Sequence, residues 1–461
     1  MRHIQTEVAI LGGGPAGYIA ALRAAQLGMK VTLIEEKALG GVCLNVGCIP
    51  TKAFLSTSRL ISRIHSAKDH GIDCELQGID WAKAVARKDR IVRSLGIGVE
   101  QLLQASNINI VSGRGQLISP REIIAITAEG DVAIQCNKLI LATGSSPQRL
   151  DIPGADLPGV LTSSDMLGIT ELPSSLVILG AGVIGLEFAS IFAAAGVKVT
   201  LIERGERLLP DEDEYAANEL LKLMKRQGIA FRMGAEVQDI VQQQEAHLVR
   251  YRIGEREQSF QAEKVLLAVG RKLNSDIFSA LPLVIQNEAI VVNQHMETNI
   301  LGVYAAGDVV GGKLLAHLAF AEGRVAAENA AGLKRSMNYK AVPSCIYTNP
   351  EYASVGLTEA EAKRQDIQPI VGIFSFRNNS RALTLGEREG FVKVVADQNE
   401  VIIGAQILGA EASEMISEMT LAVTLGVKAE VLAEMIHPHP ALNEAIWEAC
   451  SMIIKQPIHM L

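Results

Sequence analysis

A glycine-rich pattern occurs twice in this chain at an offset of 168 residues, and it leaves few architectures open. VAILGGGPAGYIAALRAAQLGMKVTLIEE begins at Val8, and LVILGAGVIGLEFASIFAAAGVKVTLIER begins at Leu176. Gly12, Gly14, Gly17, Gly28 and Glu35 fall opposite Gly180, Gly182, Gly185, Gly196 and Glu203. Two copies cannot make a solenoid, which needs three or more to bury its faces. Each copy reads as an apolar strand, a tight turn, an Ala-rich helix and a second apolar strand ending in Glu. Isolated GxGxxG turns are common and mean little. Here each turn follows a strand, opens a helix and is closed by an acid 23 positions after its first glycine. The glycines let the backbone approach a pyrophosphate at the positive end of the helix, and Glu35 and Glu203 would accept from a ribose 2′-OH. Two units imply two dinucleotides and electrons passing between them. Glu203 would repel a 2′-phosphate and so favours NAD over NADP. Arg204 and Arg207 are the contrary signal, unless they are plain surface arginines.

The rest of the chain limits the alternatives. Its 461 residues suffice for roughly two to four domains with large cores. With 48% hydrophobic and 20% charged residues it is not a disordered polymer. A net charge of −8 gives no basic footprint, so no nucleic-acid partner is expected. No apolar run of roughly 18–20 residues is free of Gly or charge, so no membrane span is expected. The opening MRHIQTEVAILGGGPAG imitates a secretion signal, but Glu7 and the Gly-Pro break fit a strand and turn better. Six cysteines are too few for a disulfide scaffold, and only Cys43 and Cys48 are near neighbours. A cytoplasmic protein with at most one special cysteine pair and no bound metal is expected.

Further strands run into glycine at KLILATG, KVLLAVGR and GVYAAGDV, and TGSSPQRLDIPGADLPG reads as a hinge. From about Val342 the text changes to short β segments and then Ala/Glu/Met-rich helices, without a glycine fingerprint. The fold class is α/β: two Rossmann-like dinucleotide-binding domains plus a C-terminal α+β domain.

The sharpest local feature is GGVCLNVGCIPTK, residues 40–52. Cys43 and Cys48 are five apart, neither a CxxC redox spacing nor a zinc spacing. On an ideal helix such Cα atoms lie ~8–9 Å apart, beyond the ~6.8 Å a disulfide tolerates. A bridge therefore needs a distorted segment, and Gly47 and Pro50 are the places for it. A neighbouring helix N-terminus would favour a thiolate. Two ordinary buried thiols are the plainer reading, weakened by the dinucleotide unit just before them.

With these motifs the chain resembles the pyridine nucleotide–disulfide oxidoreductases, over essentially Glu7 to Glu448. The resemblance rests on the first fingerprint, GGVCLNVGCIPTK, the ATG ending, GAGVIGLEF, AAGDV, TNPEYASVGLTE and HPHPALNE. It implies FAD on the first fingerprint (Gly12, Gly14, Gly17, Glu35), helped by Lys52, Gly115, Thr143, Gly144, Asp308 and Ala316. It implies NAD on the second (Gly180, Gly182, Gly185, Glu187, Glu203, Gly270). Cys43 would meet substrate, Cys48 would face the flavin, and Lys52 and Glu187 would pair beside it. The implied division is 1–147 for the first part of the FAD-binding domain, 148–274 for NAD, 275–343 for the remaining central part, and 344–461 for dimerisation.

A base is chemically required, because a substrate dithiol has a pKa well above 7 and only its thiolate attacks a disulfide. An imidazole oriented by a carboxylate meets that need near pH 7. The matching pair is His439 with Glu444, while His437 reads as structural. The family usually carries Thr and Ser where Ala441 and Asn443 stand. The implied activity is NAD+-linked oxidation of dihydrolipoamide carried by a lipoyl domain on a separate polypeptide of a 2-oxo acid, acetoin or glycine-cleavage complex. The implied assembly is a homodimer with His439 reaching the partner's cysteine pair. An NADPH-dependent reductase of glutathione or a similar small disulfide is the first rival, opposed by Glu203 and by Thr51-Lys52 where glutathione reductases commonly carry two basic residues. A mercuric reductase would be expected to end in a vicinal cysteine pair, and the tail has only Cys450. A non-catalytic flavoprotein sensor would not need Cys43, Cys48, Lys52, His439 and Glu444 together.

Overall fold

Strand Arg2–Leu11 carries Val8, Ala9 and Ile10 fully buried into the first glycine turn, and α1 (Pro15–Gln26) leaves it. The following strand Val31–Glu35 pairs in parallel with the first, Val8 opposite Val31 and Leu11 opposite Ile34. These two strands and a helix are the βαβ unit expected from the first repeat. The computed structural model describes residues 1–278 and 281–459. In the first sheet the strand order is Asn109–Ser112, Val31–Glu35, Arg2–Leu11, Val132–Leu141, Glu122–Ile126, Arg114–Ser119. Strand Val303–Ala305 joins it alongside Val132–Leu141, so the chain leaves this sheet after Leu141 and returns about 160 residues later. Helices α2 (Gly41–Val46), α3 (Cys48–Ser66) and α4 (Trp81–Ala105) follow the second strand.

The second repeat builds a separate parallel sheet in the order Ala230–Arg232, Lys198–Ile202, Ser175–Leu179, Lys264–Leu267, Val160–Thr162. Its helices are α5 (Ser163–Met166), α6 (Val183–Ala194) and α7 (Glu214–Arg226). At the junction with the first body, strands Ser145–Pro147 and Arg271–Leu273 pair antiparallel. Helix α8 (Ala316–Ala330) then packs on α1, and the small residues set the distance. A Cβ on Gly323 would stand 2.2 Å from the carbonyl oxygen of Ala16, so only glycine fits there.

The third body is an antiparallel sheet ordered Ser344–Ile346, Glu351–Gly356, Ile402–Gly409, Phe391–Ala396, Ile370–Ser375. It carries α9 (Glu359–Arg364), α10 (Ser380–Leu385), α11 (Ala412–Leu425), α12 (Ala429–Glu434) and α13 (Glu444–Ile453). Every residue of Phe391–Ala396 is buried, because both faces of the sheet are covered. A single apolar cluster joins Phe54 and Trp81 of α3 and α4, Phe188 and Phe192 of α6, and Tyr352 and Phe391 of the third sheet. Trp81 stacks on Phe54 at 4.7 Å. The three bodies therefore share a core and hold one another in register. Among the described residues, no helix is long and apolar enough to cross a membrane.

Candidate active site

Helix α2 ends at Val46 and α3 begins at Cys48, with Gly47 capping both. A Cβ on Gly47 would lie 2.9 Å from Val42 O and 3.3 Å from the Cα of Cys43, so the chain folds back on itself there only because the residue is glycine. The straight-helix separation expected for residues five apart does not apply across this break. Pro50, the other suggested place, is not at the break. It sits in the first turn of α3, where a missing N–H costs nothing. Both cysteines are free thiols, and Cys43 donates a hydrogen bond to Cys48. That bond, with the nearby charge of Lys52, lowers the Cys48 thiol to about 7 against the opposing effects of burial and Glu187. Cys43, which keeps the shared proton and is buried, is pushed far up. Cys48 is also the first residue of α3, at the positive end of the helix dipole. The charge of Lys52 and the end of α3 both favour the charged form of Cys48.

Lys52 lies one turn further along α3, and its Nζ is 2.9 Å from each carboxylate oxygen of Glu187. Glu187 belongs to α6 of the second body and is 4% exposed. It also accepts from the backbone N–H of Tyr347, whose ring centre is 4.5 Å from Nζ. Burial disfavours the ammonium, but Glu187 outweighs burial and holds Lys52 above its usual range. One residue from each of three bodies meets beside the thiols. Cys345 is close enough to feel this pair, and burial raises it to about 11, so it stays protonated.

The two glycine turns are copies in space as well as in sequence. Gly12 has φ +105° and Gly180 φ +101°, and a Cβ on Gly17 or Gly185 would strike the carbonyl of the first glycine at 1.8 or 2.1 Å. Gly14 and Gly182 cap α1 and α6 without any side-chain hydrogen bond, leaving first-turn N–H groups for a ligand. A Cβ on Gly182 would meet nothing within 4 Å, so open space faces that helix end. Glu35 accepts from Gly13 N at 2.6 Å and Lys37 N at 2.8 Å; Glu203 accepts from Ala181 N at 2.8 Å and Gly205 N at 2.6 Å. Each acid therefore ties down its own glycine turn and keeps lone pairs for a ribose. Glu35 also lines a hollow of about 310 Å³ with Asn45, Arg93 and Ser112. These cradles fit FAD and NAD. Arg207, the residue that argued for NADP, donates instead to Pro210 O and Glu212 O, while Arg204 is exposed.

The remaining expected residues divide. Thr143 Oγ1 donates to Asn274 O at 2.9 Å, Gly144 O accepts from Asn274 N at 3.0 Å, and Gly270 O accepts from Gln148 N at 3.0 Å. Asp308 accepts from Ser145 Oγ, with Arg271 Nε 3.9 Å away. Ala316 opens α8, whose N-terminus has no side-chain cap. Gly115 lies on strand Arg114–Ser119, where a Cβ would stand 2.3 Å from Leu11 Cδ1. Sequence reasoning missed Ser145, Arg271 and Glu322. The first two directly follow the quoted ATG and AVG endings, which was a usable signal. Glu322 had none: buried on α8, it accepts from Gly307 N at 2.8 Å and Tyr339 Oη at 3.1 Å, and burial raises it to about 7.

His439 lies on the segment between α12 and α13. Its Nδ1 is 2.8 Å from Glu444 Oε1, and the side chain is 72% exposed. Burial opposes ionisation of Glu444, but the Ala441 N–H and His439 together hold it below the usual carboxylate range. Ala441 thus contributes by its backbone, at 2.8 Å, and Asn443 by its amide, which donates to Glu418 at 2.5 Å. The two departures from the family pattern leave the His–Glu pair intact. His437 pairs with Glu418, which raises its pKa, and not with Glu444.

Two dinucleotide cradles beside a cysteine pair define an FAD- and NAD-dependent oxidoreductase acting on sulfur. The chain belongs to the pyridine nucleotide-disulphide oxidoreductase family, which matches residues 6–323, with that family's dimerisation domain at residues 342–450. The dimerisation domain makes the protein a homodimer. Dihydrolipoyl dehydrogenase of Halobacterium salinarum is 39% identical over 99% of this chain and 98% of its own length. Dihydrolipoyl dehydrogenase of Geobacillus stearothermophilus is 38% identical over the same shares. Among solved structures, LpdA of Mycobacterium tuberculosis superimposes with a TM-score of 0.91 at 27% identity, covering 97% of this chain and 99% of that one. The HOCl-induced flavoprotein disulfide reductase RclA of Escherichia coli gives 0.86 at 27% identity over the same shares.

Proposed function

We propose that the protein oxidises dihydrolipoamide, carried on a lipoyl domain of a separate polypeptide, with NAD+ as the final acceptor. The observation that carries this reading is the placement of Cys43 and Cys48 on either side of the Gly47 break, beside the Lys52–Glu187 pair, in a chain whose full-length relatives are dihydrolipoyl dehydrogenases. His439, oriented by Glu444, takes the proton from one substrate thiol. The resulting thiolate attacks Cys43 Sγ in the Cys43–Cys48 disulfide, and Cys48 Sγ leaves with the bonding pair. A leaving thiol of low pKa departs fastest, which is what the hydrogen bond from Cys43 and the charge of Lys52 provide. The second substrate thiol gives up its proton and attacks its own mixed-disulfide sulfur. Lipoamide leaves, Cys43 takes one proton, and Cys48 remains a thiolate. Cys43 then gives up its proton and the Cys43–Cys48 bond re-forms; FAD held at the first glycine turn would supply the acceptor for the electron pair released, and NAD+ held at the second would take it, with that proton, as a hydride.

The site is completed by two chains in this reading, His439 of one protomer serving the cysteines of its partner. The lipoyl substrate belongs to a 2-oxo acid, acetoin or glycine-cleavage complex, and the setting is the cytoplasm. Steady-state turnover with dihydrolipoamide and NAD+, beside glutathione disulfide and NADPH, tests the reading. Turnover confined to the first pair is expected. A preference for the second pair would overturn both substrate and direction.

A further inference from the structure

We propose that Glu418 is a positioning residue for the His439 base, acting through both ends of the segment that carries it. This inference rests on His439 being the base in the reading above. Residues 435–443 form neither helix nor strand, and a base on such a segment needs external fixing to hold one geometry. Glu418 supplies it from α11, whose backbone is locked by Met415, Ile416, Met419, Ala422 and Val423 in the core of the third body. One carboxylate reaches two points. Its Oε1 is 3.1 Å from His437 Nε2, two residues before His439, and its Oε2 accepts from Asn443 Nδ2 at 2.5 Å, four residues after it. Asn443 is the residue immediately before Glu444, the acid that orients His439.

Glu418 raises the pKa of His437 through the hydrogen bond, with a smaller contribution from the charge of Glu444, whose own hydrogen bond goes to His439. The other titratable group near Glu418 is Cys450 of α13, a thiol that burial pushes up to about 12 and that stays neutral. The family's usual Ser at position 443 has a shorter side chain. Asn443 reaches Glu418 with an amide, so in this chain the clamp has two arms.

A misplacement of about 1 Å caused by a remote change costs on the order of 100-fold in a positioned reaction. The test uses the FAD-loaded homodimer and three variants: Glu418→Ala, Glu418→Gln and His439→Gln. Glu418→Ala is expected to slow dihydrolipoamide oxidation roughly 10- to 100-fold. NADH oxidation by ferricyanide, which bypasses the base, is expected to stay within about two-fold of wild type, a margin small beside the effect of a lost base. The loss should fall on kcat and leave KM for dihydrolipoamide within about two-fold of wild type, since the base is displaced and the binding surface is not. Glu418→Gln keeps the volume and one acceptor, so it should fold as wild type and lose roughly a third as many decades as the alanine variant. The deciding measurement is the double variant. Added to His439→Gln, Glu418→Ala should cost nothing further, because a positioning residue has no effect once its base is gone. An equal further loss in that background, or full activity of Glu418→Ala, overturns the proposal. Full activity of His439→Gln alone would remove the base assignment itself, and with it the role given to Glu418.

Discussion

Exchanging Lys52 for Met should move the titration of Cys48 upward by about one pKa unit. Residues four apart on a helix have Cβ atoms about 5–6 Å apart, and Lys52 follows Cys48 by four on α3. Two unit charges at ~6 Å in an effective dielectric of ~20 interact by roughly 3 kcal/mol. The lysine is 33% exposed and shared with Glu187, so about half of that survives screening, or about one pKa unit. Cys48 should then titrate near 8 in place of about 7. Exchanging Glu187 for Gln should act in the opposite direction, because its negative charge raises Cys48 in the intact protein. The assay is the long-wavelength charge-transfer absorbance of the two-electron-reduced enzyme, followed against pH. The band requires the thiolate, so it is present above the Cys48 pKa and fades as pH falls through it. Opposite shifts in the two variants would be hard to produce by general damage to the fold. Shifts of the same sign, or a midpoint unmoved in Lys52→Met, would refute the electrostatic account of the thiolate.

Three further outcomes are expected. Mixing inactive His439→Gln and Cys48→Ser homodimers after dissociation should restore turnover, since a heterodimer holds one site with both residues intact; silence from a verified heterodimer would remove the shared site. Glu203→Ala should weaken NAD+ binding by about 10- to 150-fold, the equivalent of roughly 1.5–3 kcal/mol for a hydrogen bond to a charged acceptor, measured by titration calorimetry. Glu322 is raised to about 7 from 4.5, so the folded protein holds a proton there that the unfolded chain releases. Its contribution is fully present below pH 4.5 and lost as pH rises through 7; Glu322→Gln should flatten that slope by about 2–3 kcal/mol in denaturant unfolding between pH 5 and 7.5.

Much of the fold was legible because the repeat carries its own spatial meaning. Glycine at positions 12, 14 and 17 and acid at 35 leave one arrangement of strand, turn and helix, and the second copy repeats it down to the hydrogen bonds of Glu203. The cysteine segment was half legible. Its spacing argued against contact on a straight helix, and the resolution lay in Gly47, whose necessity appears only when Val42 O stands 2.9 Å from the missing Cβ. Ser145 and Arg271 were marked by the glycine endings before them, but their meeting, like that of Glu322 with Gly307, was not. Their partners lie 126 residues apart for Arg271 and Ser145, and Glu322 answers to a turn on a different element. No local pattern encodes such meetings.

The return of strand Val303–Ala305 to the first sheet has a consequence for synthesis. Its neighbour, Val132–Leu141, emerges from the ribosome about 160 residues earlier. At roughly 5–20 residues per second, that sheet edge waits on the order of ten to thirty seconds for its closing strand. Asp308, the acid expected beside the flavin, follows that strand by three residues and so is made only when two thirds of the chain is complete. The wait in the second body is shorter, about 100 residues between Val160–Thr162 and its neighbour Lys264–Leu267. The nascent chain therefore closes its second sheet first and carries the Leu139–Leu141 edge of the first without its closing strand until translation passes Ala305.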